Sequence, residues 1–109
     1  VNISSRAALG MPKRNAYSAA KAGIIGFTRN WALDLGKYGI TVNAVAPGPV
    51  ATELFLSGKT NEQITQLSKA TPLERLGQPE DIARVVSFLV SEDGGWVNSQ
   101  IVRANGGFA

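Results

Sequence analysis

Cysteine and histidine are both absent from this 109-residue chain. That removes disulfides, thiolate nucleophiles, Ser-His triads and the common zinc sites together, and no metal site is expected. Any proton shuttle has to use tyrosine, lysine or a carboxylate. Aromatic residues make up only 7% of the chain and are not interleaved with the basic ones, so stacking on nucleic-acid bases has no platform. The eleven Lys and Arg residues are scattered from Arg6 to Arg103, with only Lys13 and Arg14 adjacent, and the net charge is +3. A small anionic partner, such as a cofactor or an acyl carrier, suits that surplus better than a polynucleotide. Long apolar runs are also missing. The longest uncharged run, Tyr38 to Thr52, contains two prolines and two glycines and falls short of the ~20 residues of a membrane span. With no targeting segment visible, a cytoplasmic setting is expected.

What is present reads as one globular unit. Hydrophobic residues make up 44% of the chain, enough to bury a core, and the length allows at most one domain. Val1-Asn2-Ile3-Ser4 reads as the tail of a strand whose beginning lies upstream. No Gly-x-Gly-x-x-Gly run occurs, although dinucleotide folds carry that loop after their first strand.

The pattern predicts a strand end at Val1 to Ser5, then a loop, then a helix from Asn15 to Lys37 carrying apolar Ile24, Ile25, Phe27, Trp31, Leu33 and Leu35. Gly36 and Gly39 mark its exit. Its early stretch of alanine and glycine forms a small-residue face suited to close packing on the sheet or on another subunit. Ile40 to Ala46, rich in β-branched residues and running into Pro47-Gly48-Pro49, predicts a buried strand entering a loop. Residues Ala51 to Gly77 are expected to form a mobile lid with short helices at Leu54-Phe55-Leu56 and Ile64 to Leu67. Gln78-Pro79-Glu80-Asp81 signals a helix start, and Ile82, Val85, Val86, Phe88, Leu89 and Val90 give that helix a broad apolar face. A final strand at Gln100 to Ala104 precedes Asn105-Gly106-Gly107.

Tyr17 and Lys21 stand four residues apart, so a helix projects both from one face. A serine pair, Ser4-Ser5, ends the first strand within reach of them. Such a set suits proton transfer coupled to carbonyl reduction or alcohol oxidation. A phenol ordinarily titrates near ~10, and making a phenolate near neutral pH, about three units lower, takes roughly 4 kcal/mol. One ammonium at ~4 Å in an effective dielectric of about 20 supplies that order of energy. Tyrosine then acts as general acid/base while serine polarises the carbonyl oxygen.

Ser4-Ser5, Tyr17-x-x-x-Lys21, Val42-Asn-Ala-Val-Ala-Pro-Gly48 with Thr52, Pro72-Leu-Glu-Arg-Leu-Gly-Gln-Pro-Glu-Asp-Ile-Ala83 and Gly106-Gly107 together resemble the short-chain dehydrogenase/reductase family of classical type. The resemblance runs from Val1 to Ala109 and covers the family's C-terminal half. It implies an α/β fold: the C-terminal portion of a Rossmann-like, doubly wound parallel sheet, with the N-terminal nucleotide-binding half absent and residues 1–109 forming part of a single domain.

It also implies an NAD- or NADP-dependent oxidoreductase acting on a small carbonyl or secondary-alcohol substrate, similar in general to 3-oxoacyl carrier-protein reductases, working as a homo-oligomer (dimer or tetramer) when full length. By resemblance Tyr17 is the acid/base, Lys21 the phenolate stabiliser and ribose binder, and Ser5 the donor to the substrate oxygen. Counting back from Tyr17 by the family's usual gap selects Ser4, whereas the strand pattern Asn-Ile-Ser-Ser selects Ser5, which is favoured. Pro47, Gly48, Val50 and Thr52 resemble the loop on the nicotinamide side, with the Val50 backbone and Thr52 hydroxyl holding the carboxamide and nearby phosphate.

Two departures bear on turns and subunit packing. Ser99 stands where the family commonly has glycine, and Asn105 where an acid is usual. The rival readings are a non-catalytic cofactor-sensing or assembly protein of the same fold and an inactive fragment.

Overall fold

The computed structural model describes residues 1–108, which form three short parallel strands and four helices. Strands β1 (Asn2–Ile3), β2 (Ala44–Pro47) and β3 (Ile101–Ala104) lie in the order β1-β2-β3, with Asn2 opposite Ala44 and Ala44 opposite Ile101. Parallel neighbours need crossovers. Helix α1 (Asn15–Leu35) links β1 to β2, and α2 (Glu53–Leu56), α3 (Asn61–Ala70) and α4 (Pro79–Val90) link β2 to β3. This is the expected α/β arrangement, a partial Rossmann-like sheet.

The core centres on β2. Ala44, Val45 and Ala46 are all buried, as central strands covered on both faces require. Helix α1 packs on β1 and β2, and α4 on β2 and β3. The α1 stripe that faces inward is Ile24, Thr28 and Ala32, spaced at one-turn intervals, with Thr28 and Ala32 buried. The bulky residues expected to form that face do not: Phe27, Trp31 and Leu33 are exposed, Leu33 at 81%. Small residues face the sheet because hydrogen bonds draw helix and strand together there. Thr28 Oγ1 donates to Ile24 O and accepts from Asn2 Nδ2 at 3.0 Å, and Ser4 Oγ donates to Lys21 O at 2.7 Å. Each such bond stabilises by about 1 kcal/mol, and together they fix the rotation of α1 about its axis.

Strand β2 begins at Ala44, later than the expected Ile40. Over residues 42 and 43 side-chain amides add to the backbone bonds from Ser99 N to Val42 O and from Asn2 N to Asn43 O. Asn98 Oδ1 accepts from Val42 N at 2.8 Å, while buried Asn43 donates to Val97 O and accepts from Gln100 N. Helix α1 likewise ends at Leu35, followed by a tight turn over Gly36–Tyr38 closed by Gly39 in the left-handed region. On α4, Leu89 is buried, but Phe88 and Val90 are exposed, so its apolar face is narrower than expected. Helix α3 is longer than expected, because a reciprocal cap between Thr60 and Gln63 starts it at Asn61. Among the described residues no helix is long and apolar enough to cross a membrane.

The Gln78–Asp81 segment is a helix start, as expected. Asp81 accepts from Gln78 N at 2.7 Å and from both Arg75 nitrogens at 2.7 and 3.2 Å. The Arg75 hydrogen bond, aided by the Gln78 N–H and the Arg84 charge, holds the Asp81 carboxyl down at about 2. A carboxyl held below its ordinary ~3.9 favours the folded state above that value and loses the contribution as pH falls. Thermal stability should therefore drop between pH about 4 and about 2, and Asp81→Asn should flatten that part of a melting-temperature profile.

Candidate active site

Ser4 and Ser5 face different surroundings, as strand alternation requires. Ser4 is buried and its hydroxyl is spent on Lys21 O. Ser5 caps the 3-10 turn Arg6–Leu9, its Oγ accepting from Ala7 N at 3.1 Å. A hydroxyl that accepts one bond still has its own proton to donate. Ser5 lines a cavity of about 560 Å³ together with Tyr17, Pro47, Gly48 and Thr52. That size falls within the usual range of ligand sites, about 300–1,000 Å³. The cavity lies beyond the carboxyl ends of β1 and β2, where parallel sheets gather ligands.

Tyr17 sits in the first turn of α1 and is 39% exposed. Lys21 lies on the same side of the helix, its Nζ 5.6 Å from the Tyr17 ring centroid and donating to Ile3 O at 3.2 Å. That bond uses one of three ammonium protons. Lys21 stands behind the ring and does not line the cavity.

The loop after β2 divides its residues. Pro47, Gly48 and Thr52 reach the cavity, whereas Val50 pairs with Gly77 in a single parallel bridge, flanked by Ala51 N to Gly77 O and Gly77 N to Pro49 O. Thr52 Oγ1 caps α2 by accepting from Phe55 N at 3.2 Å, which leaves its proton free. A Cβ at Gly48 would lie 2.7 Å from Asn105 Cβ and 2.9 Å from Asn105 Cα, so glycine is what lets this loop pass the end of β3.

Both departures from the family pattern have local explanations. Ser99 adopts φ 60, the left-handed region glycine tolerates freely, at a cost of about 1 kcal/mol. Asn105 accepts from Gly107 N and donates to Phe108 O at 2.7 Å, and a carboxylate could not make that second bond. The resulting turn sets Phe108 on the cavity wall beneath the Arg6 guanidinium, 4.7 Å from the ring centroid.

Three further wall residues carried no signal in the sequence beyond their charge: Arg6, Arg14 and Lys59. The Arg14 guanidinium lies 4.8 Å from the Tyr17 ring centroid, closer than Lys21 on the same ring.

The whole chain, residues 1–109, matches the family model described as Enoyl-(Acyl carrier protein) reductase. It is 48% identical to a short-chain type dehydrogenase/reductase of Picea abies, over 98% of this chain and 40% of that protein. It is 42% identical to an NADPH-dependent aldehyde reductase-like chloroplastic protein of Arabidopsis thaliana, over 89% of this chain and 36% of that one. A probable tetrahydroxynaphthalene reductase of Zymoseptoria tritici is also 42% identical, over 91% of this chain and 41% of that protein. The chain thus spans about 40% of the length of the curated relatives it matches. With a family match along its full length, relatives named as reductases and dehydrogenases, and a parallel α/β fold, this chain belongs to the short-chain dehydrogenase/reductase family, a family of oxidoreductases.

Proposed function

We propose that residues 1–109 form the C-terminal part of a single Rossmann-fold domain in an NAD- or NADP-dependent oxidoreductase that interconverts a carbonyl compound and a secondary alcohol. The observation that carries this reading is the shared cavity of Ser5 and Tyr17, with the Ser5 proton unspent and the Lys21 ammonium behind the phenol ring.

The residues fit a nicotinamide cofactor. Gly48 keeps the loop beyond β2 close to the end of β3, Thr52 keeps a free hydroxyl proton at the cavity, and Lys21 keeps two ammonium protons for a ribose. Pro47, Gly48, Val50 and Thr52 would hold its nicotinamide side, and Lys21 with Tyr17 its ribose. When bound, the cofactor supplies or accepts the hydride. Ser5 donates a hydrogen bond to the carbonyl oxygen and polarises it, Tyr17 delivers the proton to that oxygen, and Lys21 favours the resulting phenolate. In alcohol oxidation Tyr17 takes the proton back. The aldehyde reductase name of one relative supports a carbonyl substrate. The exposed aromatic pair Phe27 and Trp31, with ring centroids 4.7 Å apart, supports a homo-oligomer of the full-length protein.

The test is spectroscopic. The full-length protein carrying this chain, mixed with NADH or NADPH and a panel of aldehydes and ketones, should consume reduced cofactor only when a carbonyl compound is present. Cofactor binding without consumption across the panel would favour a cofactor-sensing role.

A further inference from the structure

Resting on the reading above, we infer that the substrate of this site carries a carboxylate at the end of an apolar body, and that Arg14 and Lys59, with Arg6, receive it. The cavity wall holds these three cations and no acidic residue. Among the described residues the ion pairs are those of Arg75 and Arg84 with Asp81, so none of the three wall cations is neutralised by one.

Each cation rests on an aromatic ring of the same wall. Arg14 lies on Tyr17, Arg6 on Phe108 at 4.7 Å, and Lys59 on Phe55 at 4.1 Å. A guanidinium stacked by its face keeps its in-plane N–H groups, the fork that matches a carboxylate, free to point away from the ring. Stacking also holds the side chain in place before the ligand arrives, which reduces the ordering cost of binding. Lys59 donates one proton to Phe55 O and retains two. Arg6, which lies between this cavity and a neighbouring one, has a buried Nε with no partner. Such an unmet donor is unfavourable until an acceptor reaches it.

The remaining wall fixes the rest of the ligand. Met11, Leu54, Phe55, Leu67 and Phe108 are apolar and suit an aryl or alkyl body between the carbonyl end at Ser5 and Tyr17 and the charged end. Cofactor phosphates are the competing source of negative charge. Pro47, Gly48 and Thr52, given above to the nicotinamide side, share this wall, but Arg14 rests on the ring of Tyr17, where the reacting carbonyl would sit, which favours the substrate.

The full-length protein separates these outcomes when assayed with benzaldehyde and 4-carboxybenzaldehyde. The parent should prefer the carboxylated aldehyde in kcat/KM by about tenfold or more, the gain from one charge-assisted contact. Rising salt should erode that preference. In Arg14→Gln with Lys59→Gln the ratio should fall to near unity through the KM of the carboxylated aldehyde, and Arg14→Lys should restore part of it. Equal use of the two aldehydes by the parent overturns this inference and leaves the oxidoreductase reading intact. A loss confined to the cofactor KM assigns the cations to cofactor phosphates and overturns it too. Reduction of neither aldehyde, with turnover of another carbonyl compound of the panel, overturns this inference alone, whereas no turnover across the whole panel removes both readings.

Discussion

With Tyr17 as the proposed acid/base, Tyr17→Phe should lower kcat of the full-length protein by about 10²- to 10⁴-fold, the range for loss of a positioned acid/base. Affinity for the nicotinamide cofactor should fall only severalfold, by about 1 kcal/mol for the one hydrogen bond that the phenol would give the ribose. The substitution removes one hydroxyl and leaves the ring, which has the Arg14 guanidinium at 4.8 Å and the Lys21 ammonium at 5.6 Å from its centroid. Both stacking contacts survive in phenylalanine, so the helix start and the cavity wall keep their shape. Lys21 also keeps its bond to Ile3 O, which does not involve the phenol. A fluorescence titration with reduced cofactor therefore separates chemistry from binding. A variant that turns over at the parent rate would mean that another group handles the proton. Loss of cofactor affinity equal to the loss of rate would mean that the phenol acts in binding.

Much of this arrangement was legible in the sequence, and the reasons differ by residue. The four-residue spacing of Tyr17 and Lys21 survives into the fold because helix geometry alone puts them on one side. The strand of small and β-branched residues before Pro47 reads correctly because β2 is central and covered on both faces. The start of α4 reads correctly because proline and acids there have a direct electrostatic and steric reason. What misled was the assumption that large apolar residues mark the buried face of α1. Thr28 is buried instead of Phe27 or Trp31 because it bonds across to Asn2, and a hydrogen bond between residues distant in sequence leaves no periodic trace. The division between Ser4 and Ser5 is of the same kind. Two identical residues acquire different surroundings only once Lys21 O stands opposite one of them. The three wall cations were invisible for a further reason: Arg6, Arg14 and Lys59 come from three separate loops or turns, and only the folded chain brings them around one space.

Gly94→Ala should cost about 3 kcal/mol of stability, toward the upper end for overpacking a close-packed site. Gly94 is buried in the turn Glu92–Gly94 after α4. A Cβ there would lie 2.4 Å from Phe88 O, 2.8 Å from Leu89 O and 2.9 Å from Leu89 Cα. All three are backbone atoms of the last helical turn, so no side chain can swing aside. The turn cannot drift outward at no cost either, since Gly94 N bonds to Ser91 O and Val97 N to Gly94 O. Any shift passes to Val97 O and Gln100 N, the two groups that buried Asn43 holds at the entrance to β2. The strain therefore runs from a surface turn to the strand whose far end carries Pro47 and Gly48 into the cavity. Gly36→Ala is the matched control. Gly36 has helical angles of −57° and −37° with open space at its Cβ position, so alanine there should add about 0.5–1 kcal/mol by restricting the unfolded chain. Urea unfolding of the full-length protein distinguishes the two, with the midpoint falling for Gly94→Ala and rising for Gly36→Ala. If Gly94→Ala left the midpoint unchanged, the turn would have to be free to move away from Phe88, and Asn43 would not be the clamp that links it to the sheet.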